Sequence, residues 1–215
     1  MLDSKSVKPL VYHGTTTVGL VCMDGIVFST DTRVTMQRFI AHKKGKKVYK
    51  IDDHLGMTIA GVVADAQNVV DTLRYYASIY KLEKKAPMPV RAVARLASNV
   101  FFSSRLFPYI ADVLIGGYDE TGASIFNVDL FGSLIKENYV STGSGSPIAY
   151  GILESEYQDG LTLEKGIAIA VKAVTSAMKR DAMSGDSFDV VIIDKEGYKE
   201  LSEEEKKNLL TKIFG

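Results

Sequence analysis

The order of elements along the chain predicts an α+β fold, a four-layer sandwich of helix, sheet, sheet and helix. Three observations predict it. The periodic segments run as several strands, two helices, several strands, two helices, a strand pair and a last helix, which is not the βαβα alternation of a doubly wound parallel sheet. The helices arrive in consecutive pairs, and a helix pair can coat one face of a sheet, so two pairs imply two coats. The chain has 215 residues, 46% hydrophobic and 24% charged, which is ordinary globular composition with enough length to bury a full core in one domain.

Each element follows from local pattern. Thr15–Cys22 and Ile26–Asp31 are β-rich runs joined by Met23-Asp24-Gly25, and Asp-Gly is a hairpin signal because glycine accepts positive φ. Val48–Ile51 and Leu55–Ala60 read as a second pair, turned by Asp52-Asp53. Val69, Val70, Leu73, Tyr76, Ala77 and Tyr80 recur at helical spacing, and this helix stops before Pro87-Met88-Pro89. A second helix covers about Val90 to Phe107, with Val93, Ala94, Ala97, Val100, Phe101 and Ser104 on one face and Pro108 as its stop. Asp112–Ile115 and Ala123–Val128 bracket the loop Tyr118-Asp119-Glu120-Thr121-Gly122, and Ser133–Ile135 and Tyr139–Ser141 are short strands. Ser146 as N-cap and Pro147 at the first helical position open a third helix. Leu163, Ile167, Ala170, Val171, Val174, Ala177 and Met178 form the stripe of a fourth. Phe188–Asp194 is a buried-type strand, Gly197 a turn and Glu203–Ile213 a charged terminal helix. Met1–Gly14 alone lies outside the periodic pattern.

Composition narrows the chemistry. Lys plus Arg and Asp plus Glu are 26 each, so the zero formal charge gives no support to nucleic-acid or membrane-surface binding. The single Cys22 excludes an intrachain disulfide and a CxxC site, and His13, His42 and His54 are scattered with no HExxH, so no metal is expected. No apolar run reaches ~18 residues, and the charged start lacks the apolar core of a secretory signal, so a cytoplasmic protein is expected. Gly143-Ser144-Gly145 begins a GxGxxG pattern, but Ile148 stands where its third glycine belongs. Neither GxxxxGK[ST] nor GxSxG occurs. Lys43-Lys44-Gly45-Lys46-Lys47 reads as a solvated basic loop without aromatic neighbours.

One stretch carries chemistry. In His13-Gly14-Thr15-Thr16-Thr17-Val18-Gly19, the β-branched residues are accounted for by a strand alone. Position adds a second reading, because Gly14 precedes the first strand and the chain before it could be cut away without loss to the core. A threonine hydroxyl is a weak nucleophile that needs a base. An α-amine titrates near ~7.7–8.0, well below a lysine, so a freed Thr15 would hold nucleophile and base in one residue. Gly14, lacking Cβ, would let the hydroxyl bend back to its own preceding carbonyl.

The chain resembles the archaeal-type proteasome β subunits, members of the N-terminal nucleophile hydrolase superfamily, from about Gly14 to the last helix. The strings that carry the resemblance are Gly14-Thr15-Thr16-Thr17-Val18-Gly19, Gly45-Lys46-Lys47, Met57-Thr58-Ile59-Ala60-Gly61, Asp65-Ala66-Gln67, Ser141-Thr142-Gly143-Ser144-Gly145-Ser146-Pro147, and Arg180-Asp181 with Ser184-Gly185-Asp186. The resemblance implies two antiparallel sheets between helix layers, a leader 1–14 removed by self-cleavage between Gly14 and Thr15, and a hydrolase domain over 15–215. It implies Thr15 as nucleophile with Asp31 and Lys47 as its acidic and basic partners. An ammonium beside the hydroxyl would favour its alkoxide. From the residues alone, Asp31 equally suits a strand-end cap or a partner of Arg33, and Lys47 an exposed lysine.

Gly61 matches the oxyanion donor, and Ser144, Asp181 and Ser184 the group around the free amine. Without the resemblance these read as a strand-end turn, helix-start and helix-end residues, although an Asp at a helix C-terminus opposes the macrodipole. Val34, Gly45, Tyr49, Ile59 and Val63 match the lining of the substrate pocket, uncharged and implying cleavage after hydrophobic residues. Thr35, with Gly61, would pair with the substrate backbone. Three positions depart from the family pattern: Ala64 where a glycine is expected, which would narrow the groove, Asp31 where some relatives carry Glu, and Phe188 where a smaller residue is usual. The implied activity is a threonine-type endopeptidase acting on unfolded polypeptides, with no cofactor. The implied partners are identical subunits in seven-membered β rings, α-subunit rings and, indirectly, a regulatory ATPase. A catalytically silent ring subunit and the bacterial two-ring threonine peptidase are the alternatives.

Overall fold

Alternation along each strand decides which side chains meet. In the computed structural model, which describes residues 14–36 and 39–215, the runs rich in β-branched residues pair into two five-stranded sheets and one small hairpin. The expected leader, up to His13, lies outside the described residues. Strands β1 (Thr17–Val21) and β2 (Gly25–Asp31) form the expected hairpin. Next come β3 (Val34–Met36), β4 (Phe39–His42), β5 (Val48–Asp52) and β6 (Leu55–Gly61), then helices α1 (Val63–Lys84) and α2 (Val90–Ser103). Strands β7 (Ala111–Asp119), β8 (Gly122–Val128), β9 (Leu134–Glu137) and β10 (Tyr139–Thr142) precede α3 (Ser146–Glu156) and α4 (Leu163–Met178). The chain closes with β11 (Phe188–Asp194), β12 (Gly197–Glu200) and α5 (Glu203–Phe214). Sheet order is β10-β1-β2-β11-β12 in one sheet and β5-β6-β7-β8-β9 in the other, and the neighbouring strands pair antiparallel.

Three apolar layers hold this together. Side chains of α1 and α2 pack on one face of the second sheet, around Leu73, Val93, Phe101 and Ile115. Those of α3 and α4 pack on the first sheet, around Val18, Leu20, Leu153 and Val171. Between the sheets lie Ile26, Phe28, Leu114, Ile125, Val191 and Ile193. Strand periodicity sorts β2 between the layers: Val27 meets the helices while Ile26 and Phe28 meet the other sheet. The sheets come close because Gly116 has no side chain; a Cβ there would stand 2.8–2.9 Å from Ile125, Ile26 and Phe28. The four-layer α+β sandwich expected from element order is therefore present. Among the described residues no helix is long and apolar enough to cross a membrane.

Several details differ from the sequence expectation. The first strand begins at Thr17, leaving Thr15 and Thr16 ahead of it. The β3–β4 hairpin is unanticipated, since exposed Met36 and Phe39 give it no inside–outside alternation. Helix α1 begins at Val63, and Tyr76 is exposed at the margin of the buried stripe, its ring edge-on to Tyr75. Helix α2 ends at Ser103, ahead of Pro108, whose ring disfavours helical backbone before it. Strand β7 extends to Asp119, so the expected loop over 118–122 shortens to a tight turn. The N-cap of α3 is Gly145, so Ser146 is already helical and Pro147 is one position further in.

Cys22 is buried against Gly166, and burial, helped by Asp24, pushes its thiol up to about 12. Helix α5 is fixed at its start by a capping box between Ser202 and Glu205, and its buried Lys206 donates to the Phe188 carbonyl and to Asp189. Phe188 itself is buried in the helix-side core, where its size is accommodated. Among the described residues, Phe28 is the largest fully buried side chain between the sheets. Phe28→Ala is expected to lower the free energy of unfolding by about 3–5 kcal/mol, read as a reduced midpoint with unchanged slope in urea unfolding.

Candidate active site

Hairpin register builds the site. Thr17 faces Thr30 across β1 and β2, so Thr16 and Asp31 fall opposite each other at the open end of the sheet. The Thr16 amide donates to Asp31 Oδ1 at 2.9 Å, and the Asp31 amide donates to the Thr16 carbonyl at 3.1 Å. This leaves Thr15 just beyond the strand, almost fully buried. Its hydroxyl donates to the Gly14 carbonyl at 2.6 Å, the close return that a glycine at 14 permits. The Gly14 amide in turn donates to Thr35 Oγ1 at 3.3 Å. Any Cβ on Gly14 would overlap Met183.

Asp31 and Lys47 form a buried pair. Lys47 Nζ donates to Asp31 Oδ1 at 2.7 Å, with side-chain exposures of 7% and 0%. The other Asp31 oxygen accepts from the Arg33 amide at 3.1 Å and the Gly185 amide at 3.0 Å. Burial pulls the Lys47 ammonium below its ordinary value, while the adjacent Asp31 charge opposes that shift. Of the two partners weighed for Asp31, the lysine is therefore the side chain it meets. The Arg33 guanidinium turns instead to Asp186 and the Ala182 carbonyl. Lys47 also differs from its neighbours in the basic run: Lys43, Lys44 and Lys46 are exposed.

A second polar group flanks Thr15. Past the end of α4, the Asp181 amide still donates to the Ala177 carbonyl, which turns the side chain back toward the sheet. Asp181 Oδ2 accepts from Ser144 Oγ and Ser184 Oγ, each at 2.6 Å. Ser144 Oγ receives the Thr15 amide at 3.2 Å. Gly143, at φ +90, passes so close to the Thr15 carbonyl that a Cβ would overlap it. Sequence reasoning thus named every side chain in this group except Thr16, whose hydroxyl lies 2.7 Å from Ser184 Oγ.

The remaining expected residues line two adjoining concavities. Val34, Thr35, Tyr49, Ile59, Gly61 and Val63 border a narrow cleft that also contains Gly14, Thr15 and Lys47. Gly45 lines the wider groove of about 910 Å³ beside it, with Val34, Thr35, Tyr49 and Val63 shared. Ala64, in the first turn of α1, stands on that groove's wall. Gly61 ends β6 at φ +138, and a Cβ there would overlap the Ile110 carbonyl, so only glycine suits the position. Beside these uncharged positions the concavities also carry charge: Lys43, Lys44 and Lys46 line the groove, and Arg33 and Lys46 border the cleft. Their run of like charges signalled only solvation, since nothing in the spacing showed which way the loop faces.

Chemically, the arrangement holds a hydroxyl against a carbonyl, with a lysine ammonium on the wall of the same cleft backed by a buried carboxylate, and a serine–carboxylate cluster on the amide of the same threonine. Among the described residues no group of His, Cys, Asp or Glu could hold a metal ion. The high thiol pKa of Cys22 removes it as a nucleophile at neutral pH.

Comparison with known proteins gives a consistent result. The family model described as "Proteasome subunit" matches residues 11–193. The chain is 47% identical to "Proteasome subunit beta 2" of Nitrosopumilus maritimus over 96% of its own length and 99% of that protein. It is 47% identical to "Proteasome subunit beta" of Archaeoglobus profundus, covering 96% and 97% of the two chains. With "Proteasome subunit beta" of Methanococcus aeolicus it shares 50% identity over 94% of each.

Removing one partner of a buried ion pair leaves an uncompensated charge. Asp31→Ala is expected to cost about 3–5 kcal/mol of folding stability, measured by urea unfolding. An unchanged midpoint would mean that Lys47 finds water in its place.

Proposed function

Because the chain belongs to the proteasome subunit family, as a β subunit of the archaeal type, we propose that it is a catalytic subunit of the core particle, a threonine endopeptidase with Thr15 as nucleophile. The observation that carries this reading is that two polar groups, the buried Asp31–Lys47 pair and the partly exposed Ser144–Asp181–Ser184 cluster, lie on either side of Thr15. Its nitrogen rests on the Ser144–Asp181–Ser184 cluster, and its hydroxyl lies in the cleft shared with Lys47, 2.6 Å from the Gly14 carbonyl oxygen.

Self-cleavage comes first. Thr15 Oγ1 attacks the Gly14 carbonyl carbon, the C–N bond to Thr15 breaks, and the hydroxyl proton ends on the released nitrogen. Water then hydrolyses the Gly14 ester, freeing the leader as a carboxylate and leaving a mature chain of residues 15–215. The amine so created is the base for turnover, since an α-amine is largely available near neutral pH. It takes the hydroxyl proton through a water as Oγ1 attacks a substrate carbonyl, and the Gly61 N–H meets the oxyanion. The proton passes to the leaving amine, and water hydrolyses the resulting ester. The Lys47 ammonium, held by Asp31, favours the alkoxide of Thr15 throughout.

Substrate binding follows from the groove. Tyr49, Ile59, Val34 and Val63 offer an apolar surface for the side chain before the cut, with Gly45 giving depth, so cleavage after hydrophobic residues is the expected preference. Thr35 and Gly61 extend strand edges to which a polypeptide backbone adds, which selects extended, unfolded chains. Assembly is proposed as seven-membered β rings stacked with α-subunit rings in the cytoplasm, a regulatory ATPase feeding the chamber. Peptide cleavage itself uses no cofactor, nucleic acid or membrane.

The intact mass of the subunit after assembly with its α partner tests this reading. A mass corresponding to residues 15–215 is expected, and a retained leader would point to a silent ring subunit. Thr15→Ala is expected to abolish both leader removal and peptidase activity while leaving the fold stable. Normal processing in that variant would refute self-cleavage.

A further inference from the structure

We propose that Thr16 is a positioning residue that couples the Asp31–Lys47 pair to the Asp181 serine cluster and thereby sets the environment of the Thr15 amine. The inference rests on the proposed function and goes beyond it, since it assigns a role to a buried residue whose backbone holds Asp31 and whose hydroxyl meets Ser184.

The geometry is specific. Thr16 is fully buried. Its backbone holds Asp31 from both sides, amide to carboxylate at 2.9 Å and carbonyl to amide at 3.1 Å. Its side chain lies 2.7 Å from Ser184 Oγ. The direction of that last bond can be deduced. A hydroxyl has one proton, and a carboxylate only accepts. Ser184 spends its proton on Asp181 Oδ2 at 2.6 Å, and Ser144 does the same from the other side. Thr16 is therefore the donor to Ser184. A single directed chain results, from Thr16 to Ser184 to Asp181, met by Thr15 N–H to Ser144 to Asp181. Gly145 closes over the Thr16 hydroxyl so tightly that a Cβ there would overlap it, which holds the donor in place.

Such chains strengthen one another, because a hydroxyl that receives a hydrogen bond donates a better one. Donation from Thr16 makes Ser184 a stronger donor to Asp181 and spreads the carboxylate's charge. Without it, Asp181 concentrates more charge near the amine and holds a proton there more firmly. The other charges facing the amine are the Lys47 ammonium with Asp31, and Arg33, which is neutralised by Asp186; Lys46 stands at the cleft border. Thr16→Val leaves these in place, because the bonds to Asp31 come from the backbone.

The test is the pH dependence of kcat/KM for an apolar fluorogenic peptide, using the full chain assembled with its α partner. Thr16→Val is expected to move the midpoint of the acidic limb upward by about half a pH unit, a loss of roughly threefold on that limb with the alkaline plateau nearly unchanged. Thr16→Ser, which restores the hydroxyl, is expected to return the midpoint to the wild-type position. Ser184→Ala cuts the same chain one link on and is expected to shift the midpoint in the same direction, so the inference stays testable even if Thr16→Val does not assemble. A uniform loss across pH with an unmoved midpoint, or a midpoint that serine does not restore, overturns the inference while the proposed function stands. A wild-type particle that keeps its leader and cleaves nothing overturns both.

Discussion

The carboxylate of Asp31 is the constraint around which the site is organised. An ionised carboxyl removed from water costs several kcal/mol unless its lone pairs are met. Here four donors meet it: the Thr16 amide, the Lys47 ammonium, and the Arg33 and Gly185 amides. These come from the residue before β1, the residue before β5, the turn after β2 and the loop before β11. Besides the neighbouring Arg33, three distant pieces of chain must converge for one buried charge to be tolerated, so satisfying it and assembling the cleft are a single event. The same convergence holds a lysine ammonium in a low-dielectric pocket, where its field on neighbouring oxygen atoms is far stronger than in water.

The fold supports this from below. Two antiparallel sheets stacked through Phe28, Leu114, Ile125 and their neighbours give a rigid floor, and the polar residues sit at one open end of it. Close approach matters at both levels. Gly116 lets the sheets meet, Gly61 and Gly143 let backbone pass backbone at the site itself, and Gly14 leaves room for the Met183 side chain. A side chain at any of the three site glycines would displace atoms whose positions the proposed chemistry needs to within a fraction of an ångström.

Much of the architecture was legible in local pattern. The stripe from Leu163 to Met178 and the strand Phe188–Asp194 are strongly periodic, and the structure places both with the expected bounds. Exposed elements were not legible, because β3 and β4 bury too little to show alternation and Tyr76 lies at the edge of its stripe. The site divides in the same way. Spacing cannot tell Lys47 from the three other lysines of its run; only resemblance to a known family singled it out. Nor can it separate three consecutive threonines. Thr15 bonds to the Gly14 carbonyl, Thr16 to Ser184 and Thr17 to Thr142, partners that are distant in sequence except for the first. The orientation of the basic loop along the groove likewise depends on long-range pairing that no local signal encodes.

Cys22 carries a last implication. The chain has one sulfhydryl, shielded behind Gly166 and disinclined to ionise. Thiolate is the form that oxidants and electrophiles attack, so this atom is a poor target while the core is closed. The proposed catalytic groups, by contrast, are oxygen and nitrogen atoms alone. A molecule arranged this way should keep its chemistry through swings in cellular redox poise that would disable an enzyme built on sulfur.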